Sequence, residues 1–159
     1  MQNSEAISNL PILFMDLFFL NQSKPISDAQ TVPVVLMESS NYEKRLLFTS
    51  FLNAWNYDAV ESTNLEDSLF LMAEKRPSII ILDLSAVQVE ENLETIRCYR
   101  DNKISKRIPL FIISESNDPD FRTLSLEAGA DEFLPNPVNF ENLENLIQKT
   151  LEKKQKSLL

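Results

Sequence analysis

From Val32 onward, short apolar runs alternate with stretches in which apolar residues recur every three or four positions. The runs are residues 34–37 (VVLM), 57–60 (YDAV), 79–82 (IIIL), 110–113 (LFII) and 133–134 (FL). VVLM, IIIL and LFII are apolar at odd and even positions alike. Successive side chains of a strand point to opposite faces, so this is the pattern of strands covered by helices on both sides of a parallel sheet. Between the runs, helical spacing links Leu47, Phe48, Phe51, Leu52 and Trp55, then Leu65, Leu69, Phe70 and Met72. A third stripe has Leu93, Ile96, Arg97 and Tyr99, a fourth Phe121, Leu124 and Ala128, and the last and clearest Phe140, Leu143, Leu146, Ile147 and Leu151. Start signals agree: Thr63 with Glu66 reads as a capping box, Asp118 precedes a first-turn Pro119, and Asn139 caps the last helix. Five strands alternating with five helices predict an α/β protein with a doubly wound parallel sheet, whose chemistry gathers at the carboxyl ends of the strands.

Ahead of this pattern lies LPILFMDLFFL, residues 10–20, apolar almost all the way round a helix. No basic residue precedes it, Asp16 interrupts it and no small-residue cleavage pattern follows, so it does not read as a signal peptide. It is far short of the roughly 20 apolar residues that span a bilayer. Two readings stand side by side: a segment packed on its own domain, or a contact for a partner or for a homodimer. Residues 21–31, NQSKPISDAQT, read as a polar linker. The expected organisation is an apolar segment and linker over 1–31, one domain over 32–154 and a tail over 155–159. The basic run 152–156 (EKKQK) reads as a solvated helix end.

Composition narrows the function. With 24 acidic against 15 basic residues the formal charge is -9, a field that repels phosphate backbones and anionic headgroups, so nucleic acid is not an expected partner. The chain has no His, which removes His-based acid-base catalysis, a Ser-His-Asp triad and a phosphohistidine intermediate. One Gly excludes both the Walker phosphate loop and the dinucleotide fingerprint, which need several. A single Cys, Cys98, forms no intramolecular disulfide and fits a cytoplasmic setting.

The residues that end the predicted strands are then the place to look. Glu38, Ser39 and Ser40 follow the first, Asp83 the third, Ser114 the fourth and Asn136 the fifth. Singly, Asp83 reads as a turn residue, Ser114 as a loop cap, and Ser39 or Ser40 as the cap of the first helix. Together they converge on one crevice.

On these residues the chain from about 32 to 152 resembles the receiver domain of two-component response regulators, the chemotaxis-regulator fold. The matching text is VVLMESS, IIILDL, IPLFIISES and, most specifically, EAGADEFLPNPV, where the family reads close to AGADDYLxKP. The resemblance implies a flavodoxin-like sheet of strand order 2-1-3-4-5. It also implies that Asp83 is the phosphoacceptor position, and that Glu38, Asp83 and the Ser85 backbone carbonyl are the Mg²⁺ ligands. Ser114 would be the switch hydroxyl and Phe133 the aromatic switch residue. Mg²⁺ wants octahedral oxygen ligands, and a Lys offsets the charge of the transferring phosphoryl group. Two departures weaken that chemistry. Ser39 stands where the second acid belongs, and Asn136 replaces the Lys. Loss of one such stabilising donor costs on the order of 3 kcal/mol in a transition state. The loop DLSAVQVEE also lacks the family's Met-Pro and Gly, and a cis Asn136-Pro137 bond is expected.

The function expected is therefore a stand-alone, atypical receiver (a pseudo-receiver) that is not an enzyme and signals by protein contact with a histidine kinase or a downstream protein. Its contact surface would be the fourth helix, fifth strand and fifth helix. The alternative is a working receiver phosphorylated on Asp83 with Mg²⁺ by a histidine kinase, using a substitute for the missing Lys.

Overall fold

The computed structural model describes residues 31–84, 88–116 and 118–159, so the segment 10–20, its linker and Ser85 lie outside the described residues. Strands β1 (Val34–Glu38), β2 (Asp58–Ser62), β3 (Ile79–Leu84), β4 (Leu110–Ser114) and β5 (Glu132–Pro135) alternate with helices α1 (Tyr42–Ala54), α2 (Leu65–Lys75), α3 (Val89–Asp101), α4 (Pro119–Ala128) and α5 (Phe140–Ser157). The sheet is parallel throughout with order β2-β1-β3-β4-β5, the doubly wound arrangement expected. The last helix runs on to Ser157, so the basic run is helical and solvated.

The strand period sorts the core into two layers. Val35, Met37, Ile79, Ile81, Phe111, Ile113 and Leu134 meet Phe48 and Leu52 of α1 and Leu143 and Ile147 of α5. The alternate residues Leu36, Ile80, Leu82, Leu84, Leu110, Ile112 and Phe133 meet Met72 of α2, Leu93, Ile96 and Tyr99 of α3, and Phe121 of α4. The α1–α5 seam is aromatic: Phe140 stacks on Phe51 with ring centres 4.0 Å apart, and Trp55 lies against Phe51 at 5.5 Å. Four residues of the sequence stripes fall outside the core, Leu47 of α1 among them. Phe70 is 69% exposed because it lies on the helix face opposite Ser68 and Met72, which point inward; Leu124 is exposed; and Arg97 pairs with Glu90 and Glu94 on the surface of α3.

Caps set the helix starts. Asn139 and Asp118 serve as expected, accepting N–H bonds from Asn142 (2.9 Å) and Asp120 (2.9 Å), with Pro119 in the first turn. The α2 box forms one residue later than Thr63 and Glu66 implied. β2 continues through Ser62, so Thr63 is needed to leave the strand; Asn64 accepts the Asp67 N–H (2.9 Å) and Asp67 accepts the Thr63 N–H (3.3 Å). At the far end of α4 the chain's only glycine, Gly129, has φ of 122°. A Cβ there would run into Arg100 Cγ. The Arg100 side chain fills that space, donating to the Gly129 carbonyl (2.5 Å), the Ile108 carbonyl (2.8 Å) and Asp131 (2.5 Å), and so ties α3 to the segments entering β4 and β5.

Candidate functional site

The register places the named residues along one edge. Glu38 stands opposite Leu82 and Ser62, Leu84 opposite Ser114, and Ser114 opposite Pro135, so the carboxyl ends of β1, β3, β4 and β5 form a continuous rim. The peptide bond between Asn136 and Pro137 is cis.

Asp83 has the parity of Ile79 and Ile81, so it points to the α1–α5 side, where its side chain is 8% exposed. Two groups of the chain itself engage its carboxylate. Ser39, next in parity after Met37, donates its hydroxyl to Oδ2 at 2.6 Å, and the Lys44 ammonium donates to Oδ1 at 3.1 Å. Both donors are oriented. The Ser39 hydroxyl accepts the Asn41 N–H (3.1 Å) and the Ser39 carbonyl accepts from Arg45 (2.6 Å). Asn41, rather than Ser39 or Ser40, caps α1 by accepting the Lys44 N–H at 3.0 Å, which frees Ser39 for the aspartate and fixes Lys44 in the first turn. Lys44 Nζ also donates to Glu115 of the loop after β4, at 3.1 Å. Burial of the ammonium works against its charge, but the bonds and attraction of Glu115 and Asp83 outweigh it and hold its pKa above the ordinary lysine value.

Glu38 shares the parity of Leu36 and turns to the opposite layer. There its Oε2 accepts hydrogen bonds from the hydroxyls of Ser68 on α2 and Tyr99 on α3, and Ser68 is also within 2.7 Å of Ser62. Desolvation dominates: the Glu38 carboxyl pKa is raised despite the two donors, with Asp67 adding to the rise. Burial, then the charge of Glu38, drives the Tyr99 hydroxyl far above the usual tyrosine range, so it stays a neutral donor.

Ser114 is fully buried; its hydroxyl oxygen accepts the Ser116 N–H (3.2 Å) and its carbonyl the Asn136 N–H (2.8 Å). Phe133 is buried in the α2–α4 layer, edge-on to Phe121 at 5.7 Å and beneath the Arg122 guanidinium at 5.9 Å. The crevice thus brings together Asp83, Ser39 and Lys44 on one face, with Ser114 and the Asn136 backbone at the rim, while the Glu38 Oε2 is engaged on the other face.

Lys44 is the residue that the strand-end search missed. It belongs to a helix, not a strand end, and the signal that would have found it is its place three residues after a capping Asn, where a first-turn side chain overhangs the crevice.

A divalent cation of the kind implied by the resemblance does not fit this donor set. Ser39 stands where the second acid would and donates a hydrogen bond to Asp83 Oδ2; Oδ1 of Asp83 faces an ammonium; and Oε2 of Glu38 is held by Tyr99 and Ser68. Among the described residues no cluster of three or more acidic, His or Cys side chains is positioned to hold a metal ion. Among them, too, no helix is long and apolar enough to cross a membrane.

The architecture is that of a doubly wound α/β domain with its candidate site at the carboxyl edge of the sheet. No family model matches the chain. Curated relatives include the sensory transduction protein BceR of Halalkalibacterium halodurans, 25% identical over 100 residues (63% of this chain and 42% of that protein). The KDP operon transcriptional regulatory protein KdpE of Escherichia coli is 26% identical over 111 residues (70% of this chain and 47% of that protein). The chain thus spans about half the length, or less, of the curated relatives it matches. Among solved structures, the chemotaxis response regulator CheY4 of Vibrio cholerae superposes with a TM-score of 0.65 at 21% identity, covering 76% of this chain and 99% of that one. A response regulator receiver protein from Pseudomonas putida gives 0.66 at 25% identity, again over 76% and 99%. The chain is thus similar in fold to response regulator receiver domains, and its curated relatives are response regulators at 25–26% identity.

Proposed function

We propose that the domain over 32–154 is a pseudo-receiver. It keeps the phosphoacceptor position at Asp83 but signals through protein contacts, without depending on aspartyl phosphorylation or Mg²⁺. The observation that carries this reading is the Ser39 hydroxyl on Asp83 Oδ2 at 2.6 Å, in place of the acid that would hold a metal. The aspartate's charge is met by hydrogen bonds from within the chain, and Asn136 brings no cation to the site. Ser114 and Phe133 then serve as packing residues of the rim rather than as a phosphorylation switch. The partner is a protein in the cytosol, a histidine kinase or a downstream signalling protein. It docks on α4, β5 and α5, where Leu124 and Leu126 of α4 stand exposed. The net charge of -9 argues against nucleic acid.

A second reading is favoured by one contact. Lys44 reaches Asp83 from α1 and supplies the positive charge that Asn136 lacks, as a working receiver phosphorylated on Asp83 would need.

Intact mass after incubation with acetyl phosphate and Mg²⁺, with Asp83→Asn as control, separates the two. The pseudo-receiver reading expects no adduct from a folded protein. A phosphoryl adduct that disappears in Asp83→Asn would overturn it in favour of the working receiver.

A further inference from the structure

Lys44 does more than pair with Asp83. Its ammonium lies 3.1 Å from Asp83 Oδ1 and 3.1 Å from Glu115 Oε1, and so bridges the end of β3 to the loop between β4 and α4. The bridge is set from below. Asn41 fixes the Lys44 backbone in the first turn of α1, and Arg45 anchors the Ser39 carbonyl beside it. The loop it reaches is a run of small turns. Ser116 N–H bonds to Ser114 Oγ (3.2 Å) and Asp118 N–H to Ser116 Oγ (3.0 Å), before Asp118 caps α4. The Glu115 side chain is 68% exposed, against 8% for Asp83, so the salt bridge joins a sheltered carboxylate to a solvated one.

We propose that the Lys44 ammonium is the resident cation of this pocket: it stands between two carboxylates where a divalent ion would otherwise sit, and it fixes the β4–α4 loop through Glu115. The inference rests on the pseudo-receiver reading for its setting, since it explains how the aspartate is held without a metal. The charges decide the matter. Asp83 and Glu115 bring two negative charges and Lys44 one positive, which leaves a net single negative charge. An incoming divalent ion would have to displace the ammonium or sit within a few ångströms of it, where like charges repel strongly in a part-buried site. Removing the ammonium releases Asp83 Oδ1 and Glu115 Oε1 to accept a cation, while Ser39 stays on Asp83 Oδ2. It also leaves Glu115 without its tether.

The test compares Mn²⁺ binding, read by electron paramagnetic resonance, in the wild-type chain, Lys44→Gln and Lys44→Arg, with amide hydrogen exchange of residues 114–116 measured without metal. Lys44→Gln is expected to bind Mn²⁺ about tenfold more tightly than wild type, or better, and to exchange faster at Ser116. Lys44→Arg, which keeps the charge, is expected to follow wild type in Mn²⁺ binding. Equal Mn²⁺ affinity in wild type and Lys44→Gln, no binding in either, or Lys44→Arg binding as tightly as Lys44→Gln would overturn the inference. So would unchanged exchange at Ser116 in Lys44→Gln. The two ideas fail separately. Aspartyl phosphate on the wild-type chain ends the pseudo-receiver reading, yet leaves the role of Lys44 standing if Mn²⁺ affinity still rises on its removal.

Discussion

Glu38 ends β1 and Asp83 lies near the end of β3, yet the two carboxylates sit on opposite faces of the sheet in opposite surroundings. Glu38 is buried among neutral donors, the hydroxyls of Tyr99 and Ser68, and among the described residues no cation is paired with it. Asp83 lies at the mouth of the crevice with an ammonium and a hydroxyl on it. Neutral hydrogen bonds do not repay the desolvation of Glu38, so its carboxyl holds its proton more tightly than usual. The same chemical group thus serves as part of the packing in one layer and as an anchor for charge in the other. One residue of strand parity separates the two outcomes.

The comparison can be broken most forcefully on the Glu38 side. Tyr99→Phe leaves a buried carboxylate short of a donor and is expected to cost about 2 to 3 kcal/mol, because bonds to charged groups are the stronger kind. Urea unfolding measures this, and a loss under half a kcal/mol would mean that Tyr99 contributes only its ring. On the other face, Ser39→Ala removes one donor from Asp83, whose Lys44 contact remains, and the expected loss is about 1 kcal/mol. A larger loss than that of Tyr99→Phe would reverse the contrast drawn here. The gentlest probe changes only a slope. Glu38 has a raised pKa in the folded chain, so above its ordinary value of 4.5 the folded state binds more protons than the unfolded one. Raising the pH then lowers the stability contributed by this group. Glu38→Gln removes that term, so the stability of the variant relative to wild type is expected to climb as pH rises above 4.5. A flat or falling difference would refute the burial argument.

The sheet and its helices could be read from the chain, because their signals are local. The two-faced apolar runs IIIL and LFII appear as the central strands β3 and β4, and Asn139 and Asp118 begin helices where their side chains said they would. The site was only half legible. Asp83, Ser39 and Ser114 do meet at one rim, because a strand end fixes its own position. The directions of their neighbours were not visible, although parity held one clue: Glu38 lies two residues after Leu36 and therefore turns toward α2 and α3. Lys44 could be placed in the first turn by the capping Asn41 three residues earlier, but the reach of its side chain across to Asp83 of β3 is a tertiary relation that the cap alone does not give.

The contact between Gly129 and Arg100 constrains how this sequence can drift over generations. A relative that keeps a long side chain at position 100 in the same orientation is confined to glycine at 129, since any Cβ would collide with it. A small residue at 100 lifts the steric half of that restriction and leaves the other, the backbone φ of 122°. The pair is therefore ordered in sequence change as well as in space: a side chain gained first at 129 meets both the collision and the strained backbone, whereas one that follows a small residue at 100 meets the backbone strain alone.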